Sequence, residues 1–263
     1  GGVPDPRKPW LESLAEVYDL LKLPQRRDTE LVLGVVDDPD NQAQVVEYFR
    51  PDRDGNIVYI GAGGSGKSTA LRALAVAAAF TPRSGPVHVY GLDFGGGGLA
   101  SLAPMPNVAS IIDGSDEERL GRMLRHVSAV VEERSQRFSA ARASTLTEYR
   151  ALSGARDEPR ILVLLDGFST FRNDYELTPG RTVLYNQFVA LLGDGRGVGV
   201  HVAMTVDRPS AMPTAVMSAF QRKVVLRQAG DDAYLQLGVP RDVLASTSVP
   251  GRAMQVDNPQ ELQ

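Results

Sequence analysis

Apolar residues along the chain form short runs that alternate with helix-like repeats. The runs at 57–60 and 161–165 show no alternation with polar residues, which is typical of strands buried on both faces of a parallel sheet. Further strands are predicted at residues 31–36, 87–92, 108–112, 198–206, 223–227 and 252–256. We therefore expect an α/β fold, with a mainly parallel central sheet flanked by helices.

Helices are predicted between these strands. One should run from Lys67 to about Phe80, and another lies near 182–192. The longest is expected after strand 108–112, because apolar residues recur there at helical spacing; they are Leu120, Met123, Leu124, Val127, Val130 and Val131. Ser115, with an acid three residues later, predicts the N-cap of this helix.

Residues 1–30 differ in composition from the rest of the chain. They are rich in proline and charge, and a short helical pattern runs through Trp10, Leu11, Leu14, Val17, Tyr18 and Leu21. This composition predicts a linker or an arm that packs on another surface. Residues 31–263 are then expected to form the main domain.

Composition narrows the class of protein. The chain has 263 residues, of which 43% are hydrophobic, and a net charge of −4, so an acidic surface argues against a dedicated nucleic-acid binder. It has no cysteine, and its histidines (His88, His126 and His201) show no metal-ligand spacing.

No apolar run approaches the roughly 20 residues that span a bilayer. With no apolar signal segment at the start, we expect a cytoplasmic location.

The stretch GAGGSGKST at 61–69 is a complete Walker A match between a predicted strand and a predicted helix. Glycines allow the backbone to curl so that successive N–H groups point at phosphate oxygens. Lys67 is expected to reach the β- and γ-phosphates, and Ser68 to bind Mg²⁺. The sequence therefore predicts nucleotide binding by Gly61, Ala62, Gly63, Gly64, Ser65, Gly66, Lys67, Ser68 and Thr69.

Asp166 ends the apolar strand 161–165. A carboxylate there is costly unless it faces a cleft or a metal, and the second Mg²⁺-directing acid of a P-loop enzyme lies at such a strand end. We therefore predict that Asp166 is a catalytic and metal-binding residue together with Lys67 and Ser68. The alternative is an aspartate that caps the next helix.

Gly167 stands where many NTPases carry a second acid, the group that would activate water. Glycine cannot supply this function. Asp93, at the end of a neighbouring strand, and Glu176 are alternative bases, although no motif places either of them. A base from elsewhere in the chain is the third alternative.

The stretch MTVDRP at 204–209 follows another strand. The carboxyl ends of strands form the ligand-binding edge of open α/β sheets. Asp207 and Arg208 are therefore candidate sensors of the γ-phosphate, the alternative for Arg208 being an exposed loop arginine.

Several segments together resemble the FtsK/SpoIIIE family of motor ATPases. Within it they look most like a later ATPase domain of EccC, the motor of type VII (ESX) secretion. The resemblance covers roughly residues 30–256, and the P-loop is its generic part. The more specific segments are LGVVDDPDNQAQ (33–44), VYGLDFGGGGLASLAPMPNV (89–108), ILVLLDGFSTF (161–171), GVGVHVAMTVDRP (197–209) and LGVPRDVLASTSVPGRAM (237–254).

The resemblance implies a RecA-like core that binds ATP with Mg²⁺ and assembles with sister ATPase domains in a tandem array or ring. It also implies small helical WXG-type export substrates as partners and a membrane-anchored parent protein. Two departures from the family pattern put autonomous hydrolysis in doubt. Gly167 replaces an acid, and Asp207 replaces the glutamine of the usual ATQRP.

Three functions follow as alternatives. The first is an ATP-binding motor domain of a secretion ATPase, with weak or absent hydrolysis in isolation. The second is a non-hydrolysing module that binds export-signal helices. The third is an FtsK-type DNA translocase domain, against which the acidic composition argues because such a ring needs basic loops facing phosphates.

Overall fold

The computed structural model describes residues 12–24 and 27–263. Within them lies one sheet of ten strands in the order β2-β1-β10-β9-β8-β3-β7-β6-β4-β5. The strands are β1 Leu31–Asp38, β2 Ala43–Phe49, β3 Ile57–Ile60, β4 Val87–Asp93, β5 Val108–Asp113, β6 Arg160–Asp166, β7 Val200–Val206, β8 Arg222–Leu226, β9 Ala253–Gln255 and β10 Glu261–Leu262.

The helices are α1 Pro51–Asp54, α2 Lys67–Ala79, α3 Glu117–Ala141, α4 Leu146–Ser153, α5 Phe168–Tyr175, α6 Thr182–Asp194, α7 Thr214–Ser218 and α8 Asp231–Leu237. None of the helices in residues 12–24 and 27–263 combines the length and apolarity needed to cross a membrane.

The six strands from β8 to β5 are parallel. Every residue of β6 and β7 is buried, because helices cover both faces of this part of the sheet. On β6, Val163 and Leu165 join the core beneath α3 and α6, whereas Leu162 and Leu164 join the core beneath α2. The predicted fold, a mainly parallel sheet flanked by helices, is confirmed.

The remaining strands extend the sheet in an antiparallel manner. β9 pairs with β8, β10 joins β9 to β1, and β2 pairs with β1 at the edge. The carboxyl ends of β3, β4, β6 and β7 therefore lie along one edge of the parallel part, where the loops that follow them meet.

The long helix α3 buries the apolar residues that were predicted for its inner face, although Val130 is only partly buried. Its N-cap is Asp116 rather than Ser115, since the Asp116 side chain accepts a hydrogen bond from the Arg119 N–H. Ser115 instead donates to the Asp113 carboxylate in the preceding turn.

Residues 12–24 contain no α-helix and one 3₁₀ turn, at Leu20–Lys22. The helical pattern of residues 10–21 therefore does not form an α-helix from residue 12 onwards, and its first two members, Trp10 and Leu11, lie outside the described residues. The segment is attached to the sheet through its carbonyl groups. Arg252 donates to the carbonyls of Leu14 and Ala15, both at 3.2 Å, and the Gln263 side chain donates to that of Glu16 at 2.7 Å.

A network of buried charges lies where the parallel strands begin, at the end of the sheet opposite to their carboxyl ends. Asp28 is fully buried and accepts from Arg150 at 2.7 Å and from Arg160 at 2.9 Å. Arg160 also pairs with Asp52 at 2.6 Å and donates to His201 at 2.8 Å. Asp28 is thus held in the core by its ion pairs with Arg150 and Arg160. Removal of either arginine would leave buried charge uncompensated.

Candidate nucleotide site

The P-loop, residues 61–69, connects the carboxyl end of β3 to the start of α2. Gly64 and Gly66 have φ of +70° and +103°, a conformation that only glycine adopts readily. A Cβ on Gly66 would lie 2.5 Å from the backbone nitrogen of Gly251, which donates to the Ser65 carbonyl at 2.9 Å. The loop is therefore curled by its glycines and supported by the segment before β9.

Lys67 begins α2 and its ammonium donates to the Ala62 carbonyl at 2.8 Å. Burial lowers the pKa of Lys67, and the carboxylates of Asp166 and Asp207 partly offset this effect. Both carboxylates therefore act electrostatically on the lysine that is predicted to bind phosphate.

Asp166 is 2% exposed at the end of β6. Its Oδ1 accepts a hydrogen bond from the Thr205 hydroxyl at 2.6 Å, and the Gly167 N–H donates to that hydroxyl at 2.8 Å. Its Oδ2 is buried without a hydrogen-bond partner. An unpartnered buried carboxylate oxygen costs free energy, and at the end of a strand beside a P-loop this oxygen is available to a metal ion.

A Cβ on Gly98 would lie 2.6 Å from Asp166 Oδ2 and 3.2 Å from Ser68 Oγ, so a single point beside Gly98 is close to both predicted metal ligands. We call the region between these two oxygens the metal gap, and glycine at residue 98 places no side chain in it. A hydroxyl and a carboxylate are oxygen ligands of the kind that Mg²⁺ prefers. The residues present therefore fit the predicted metal.

The loop that follows β4, residues 94–99, is called here the glycine loop. Asp93 is 7% exposed, and its carboxylate accepts hydrogen bonds from the N–H groups of Gly95 (3.1 Å), Gly97 (3.1 Å) and Leu99 (2.8 Å). The interpretation of Asp93 as a substitute base is wrong, because its carboxylate is occupied in holding this loop.

Glu176, the other alternative base, lies after the last residue of α5. Its carboxylate pairs with Arg172. Eight residues of helical rise place it about 12 Å from the start of α5. The structure therefore does not bring Glu176 to the end of β6.

Gly167 has φ of +91°, and a Cβ on it would lie 2.8 Å from the Phe94 carbonyl oxygen. No side chain fits there without a shift of the glycine loop. The absence of the usual acid thus has a structural reason, which is that the glycine loop takes its space.

Asp207 and Arg208 follow β7 and are exposed. The Ser169 hydroxyl donates to Asp207 Oδ1, so this carboxylate is held near the end of β6. The structure therefore brings Asp207 together with Lys67 and Asp166, as the effect on the Lys67 pKa indicates. Arg208 lies at the start of the following turn, where its carbonyl accepts from the Ala211 N–H.

Three residues around the candidate nucleotide site were not predicted from the sequence. Thr205 orients Asp166, and its signal is a polar residue near the end of a mostly apolar strand. Arg72 donates to the Gly98 carbonyl at 2.8 Å and to the Thr69 hydroxyl at 2.9 Å. The Arg227 guanidinium lies 4.0 Å from where a Cβ on Gly64 would be. No motif singles out these two arginines, although Arg227 is the last residue of the predicted strand 223–227.

The family model of the FtsK/SpoIIIE family matches residues 20–243. ESX-4 secretion system protein EccC4 of Mycobacterium tuberculosis is 30% identical over 266 residues, which cover 98% of this chain and 21% of that protein. Type VII secretion system protein EssC of Staphylococcus aureus is 27% identical over 258 residues, covering 94% and 17%. The chain thus spans about a fifth of the length of these curated relatives.

Solved structures agree with this relationship. EssC (ATPases 2 and 3) from Geobacillus thermodenitrificans superposes with a TM-score of 0.78 at 28% identity, covering 98% of this chain and 47% of that one. Thermomonospora curvata EccC (ATPases 2 and 3), in complex with a signal sequence peptide, gives 0.75 at 29% identity, covering 92% and 43%. The chain therefore belongs to the FtsK/SpoIIIE family, as a homologue of the ATPase domains of the type VII secretion proteins EccC and EssC.

Proposed function

We propose that residues 31–263, preceded by an N-terminal arm, bind Mg·ATP as an ATPase domain of a type VII secretion protein and hydrolyse it very slowly on their own. One observation carries the proposal. The Ser68 hydroxyl and the unpartnered Asp166 Oδ2 flank a gap at the start of α2.

Each residue of the site has a proposed role. The backbone N–H groups from Gly61 to Thr69, with the positive end of α2, bind phosphate oxygens. Lys67 exchanges its bond to the Ala62 carbonyl for one to the β- and γ-phosphates. Ser68 and Asp166 hold Mg²⁺, which when bound neutralises phosphate charge. Thr205 fixes the orientation of Asp166.

Slow hydrolysis follows from the carboxylates around the site. Position 167 holds no side chain, Asp93 is bonded to three N–H groups, and Glu176 pairs with Arg172. Phosphoryl transfer to water needs a group that orients the water and a cation for the developing charge. We propose that Asp207 is a γ-phosphate sensor and that the domain retains nucleotide as a structural ligand or a switch.

Thermal unfolding with and without Mg·ATP tests the nucleotide site. Ligand at 100 times Kd should stabilise the domain by about 2.7 kcal/mol, and Lys67→Ala should remove most of this shift. Lys22→Ala is the matched control, because Lys22 is exposed far from the P-loop in sequence. Equal shifts in the parent and in Lys67→Ala would refute the site.

A second candidate function is a module that binds export signals without hydrolysis. The T. curvata relative whose structure contains a signal sequence peptide favours it. By analogy we propose small helical WXG-type substrates and sister ATPase domains as partners, with membrane attachment only through other parts of a longer protein. The acidic net charge of −4 argues against DNA as the partner.

Binding experiments separate these partners. A fluorescent peptide carrying a WXG-type C-terminal signal should bind, whereas a scrambled peptide should not. Duplex DNA is titrated in parallel at two salt concentrations. Steeply salt-dependent DNA binding without peptide binding would favour the translocase alternative instead.

A further inference from the structure

We propose that the glycine loop, residues 94–99, forms one wall of the metal gap and that Asp93 is its positioning residue, so that this loop sets the Mg²⁺ affinity of the site. The proposal rests on the proposed nucleotide function and adds residues that no Walker motif contains.

The glycines of the loop fall into two kinds. A Cβ on either Gly95 or Gly98 would lie 2.6 Å from Asp166 Oδ2. Gly96 and Gly97 have φ of +80° and +94°, and a Cβ on either would meet nothing within 4 Å. Gly96 and Gly97 therefore make the turn, whereas Gly95 and Gly98 bring backbone against the metal-binding carboxylate.

The loop is fixed from two sides. From the strand, the Asp93 carboxylate accepts from the N–H groups of Gly95, Gly97 and Leu99. From helix α2, Arg72 donates to the Gly98 carbonyl at 2.8 Å. Charge-assisted bonds of this kind are stronger than neutral ones. They hold the two contact glycines at a defined distance from Asp166.

A fixed wall matters for this metal in particular. Mg²⁺ demands near-ideal octahedral geometry and retains several of its waters, so the size of the space beside Ser68 and Asp166 decides whether it binds. Residues that orient metal ligands without touching the metal typically change metal affinity by about 10–100-fold when altered. Asp93 acts in this way, through the glycine loop.

The principal test is Gly98→Ala, which would place a methyl group in the metal gap. Nucleotide affinity is measured by calorimetry in EDTA and across a Mg²⁺ titration, and Mn²⁺ bound to the nucleotide complex is measured by electron paramagnetic resonance. We expect Gly98→Ala to lose at least about tenfold in Mg²⁺ or Mn²⁺ affinity. Binding of the nucleotide in EDTA should stay within about threefold of the parent.

Gly193→Ala in α6 is the matched control, since a methyl added there would meet nothing within 4 Å and residue 193, like residue 98, does not have a positive φ. It should retain the parent's Mg²⁺ dependence. Asp93→Asn and Arg72→Met should shift the Mg²⁺ dependence in the same direction as Gly98→Ala while leaving binding in EDTA largely intact. These two variants keep the test valid if Gly98→Ala folds poorly, which its melting curve without ligand reports.

Three results would overturn the proposal. One is an unchanged Mg²⁺ dependence in Gly98→Ala and Asp93→Asn. Another is an equal loss in Gly193→Ala, which would indicate an effect that is not specific to the glycine loop. The third is an equal loss of affinity in EDTA and in Mg²⁺. A parent that binds no nucleotide at all would refute the nucleotide site and this proposal together, whereas the first three results leave the nucleotide site standing.

Discussion

The Phe94 carbonyl oxygen lies 2.8 Å from the point that a Cβ on residue 167 would occupy, and Gly167 has φ of +91°. The glycine loop and an acid after Asp166 therefore compete for the same space. The Phe94 N–H also donates to the Asp166 carbonyl at 2.8 Å, which keeps the two strand ends in contact. The segments DFGGGG and LLDG form one structural unit in this chain.

Gly167→Ala should destabilise the domain more than Gly154→Ala. Both glycines have positive φ, +91° and +76°, but a Cβ on Gly154 would meet nothing within 4 Å. The left-handed conformation costs a non-glycine residue about 1–2 kcal/mol, so Gly154→Ala should lose about that much. Gly167→Ala should lose about 1–3 kcal/mol more because the loop must move. Urea denaturation measures both, and equal losses would contradict the crowding at residue 167.

The same crowding bears on enzymatic activity. Restoring the missing acid by Gly167→Glu should not raise phosphate release, because the side chain would displace the loop that borders Asp166. A clear gain of turnover in Gly167→Glu would show that the loop yields without harm to the site.

The unmodified chain should release phosphate far more slowly than once per second. It lacks a free carboxylate at residue 167, and arginines supplied by a neighbour account for about 10³–10⁵-fold in related reactions. Steady-state phosphate release is measured with Lys67→Ala as the blank. A rate of several per second that disappears in the blank would show that the chain supplies its own base.

Asp207→Asn should bind ATP more tightly relative to ADP. The Asp207 carboxylate acts on Lys67 and would repel a γ-phosphate bound there, whereas asparagine retains an oxygen for Ser169. We expect a gain of about threefold to tenfold in the ATP-to-ADP preference, diminishing with salt. Asp157→Asn, an exposed aspartate before the start of β6, is the control. Lost turnover without a gain in affinity would identify Asp207 as a base instead.

Stability should fall as the pH drops through about 6.5. Burial, followed by the charge of Arg160, holds the pKa of His201 well below its ordinary value. Below pH 6.5 the unfolded chain therefore binds a proton at this residue that the folded chain does not, which favours unfolding. Between pH 7.5 and 5.5 the parent should lose roughly 1 kcal/mol more than His201→Gln. Urea denaturation at both pH values measures this difference, and parallel losses would contradict it.

The parallel strands could be predicted because each is a local apolar run. Two antiparallel strands could not: β2 at one edge of the sheet and β10 between β1 and β9. β2 is mostly half-exposed and carries polar residues, and β10 has only two residues, so neither gives a hydrophobic pattern that stands out. The helices α4, α5 and α8 are short, which left too few turns for a repeat to be recognised.

The candidate site likewise has one part that the sequence places and one part that it does not. The P-loop is a continuous stretch whose backbone geometry follows from its own glycines, so sequence alone places it. The role of Asp93 depends on β4 lying beside β6, with Asp93 paired to Asp166 in the register. Such a relationship between distant residues has no signature in a single sequence, so the sequence leaves Asp93 as one of several alternative bases.

The contacts of Gly251 and Arg252 have a mechanical consequence. The Gly251 N–H donates a hydrogen bond to the Ser65 carbonyl in the P-loop, and the side chain of the next residue, Arg252, donates to the carbonyls of Leu14 and Ala15. One peptide link thus joins the N-terminal segment to the phosphate-binding backbone. Detachment of residues 12–24 from the sheet would therefore act on the P-loop. By thermodynamic linkage, a ligand that binds the P-loop more tightly while this segment is attached would strengthen the attachment by the same factor.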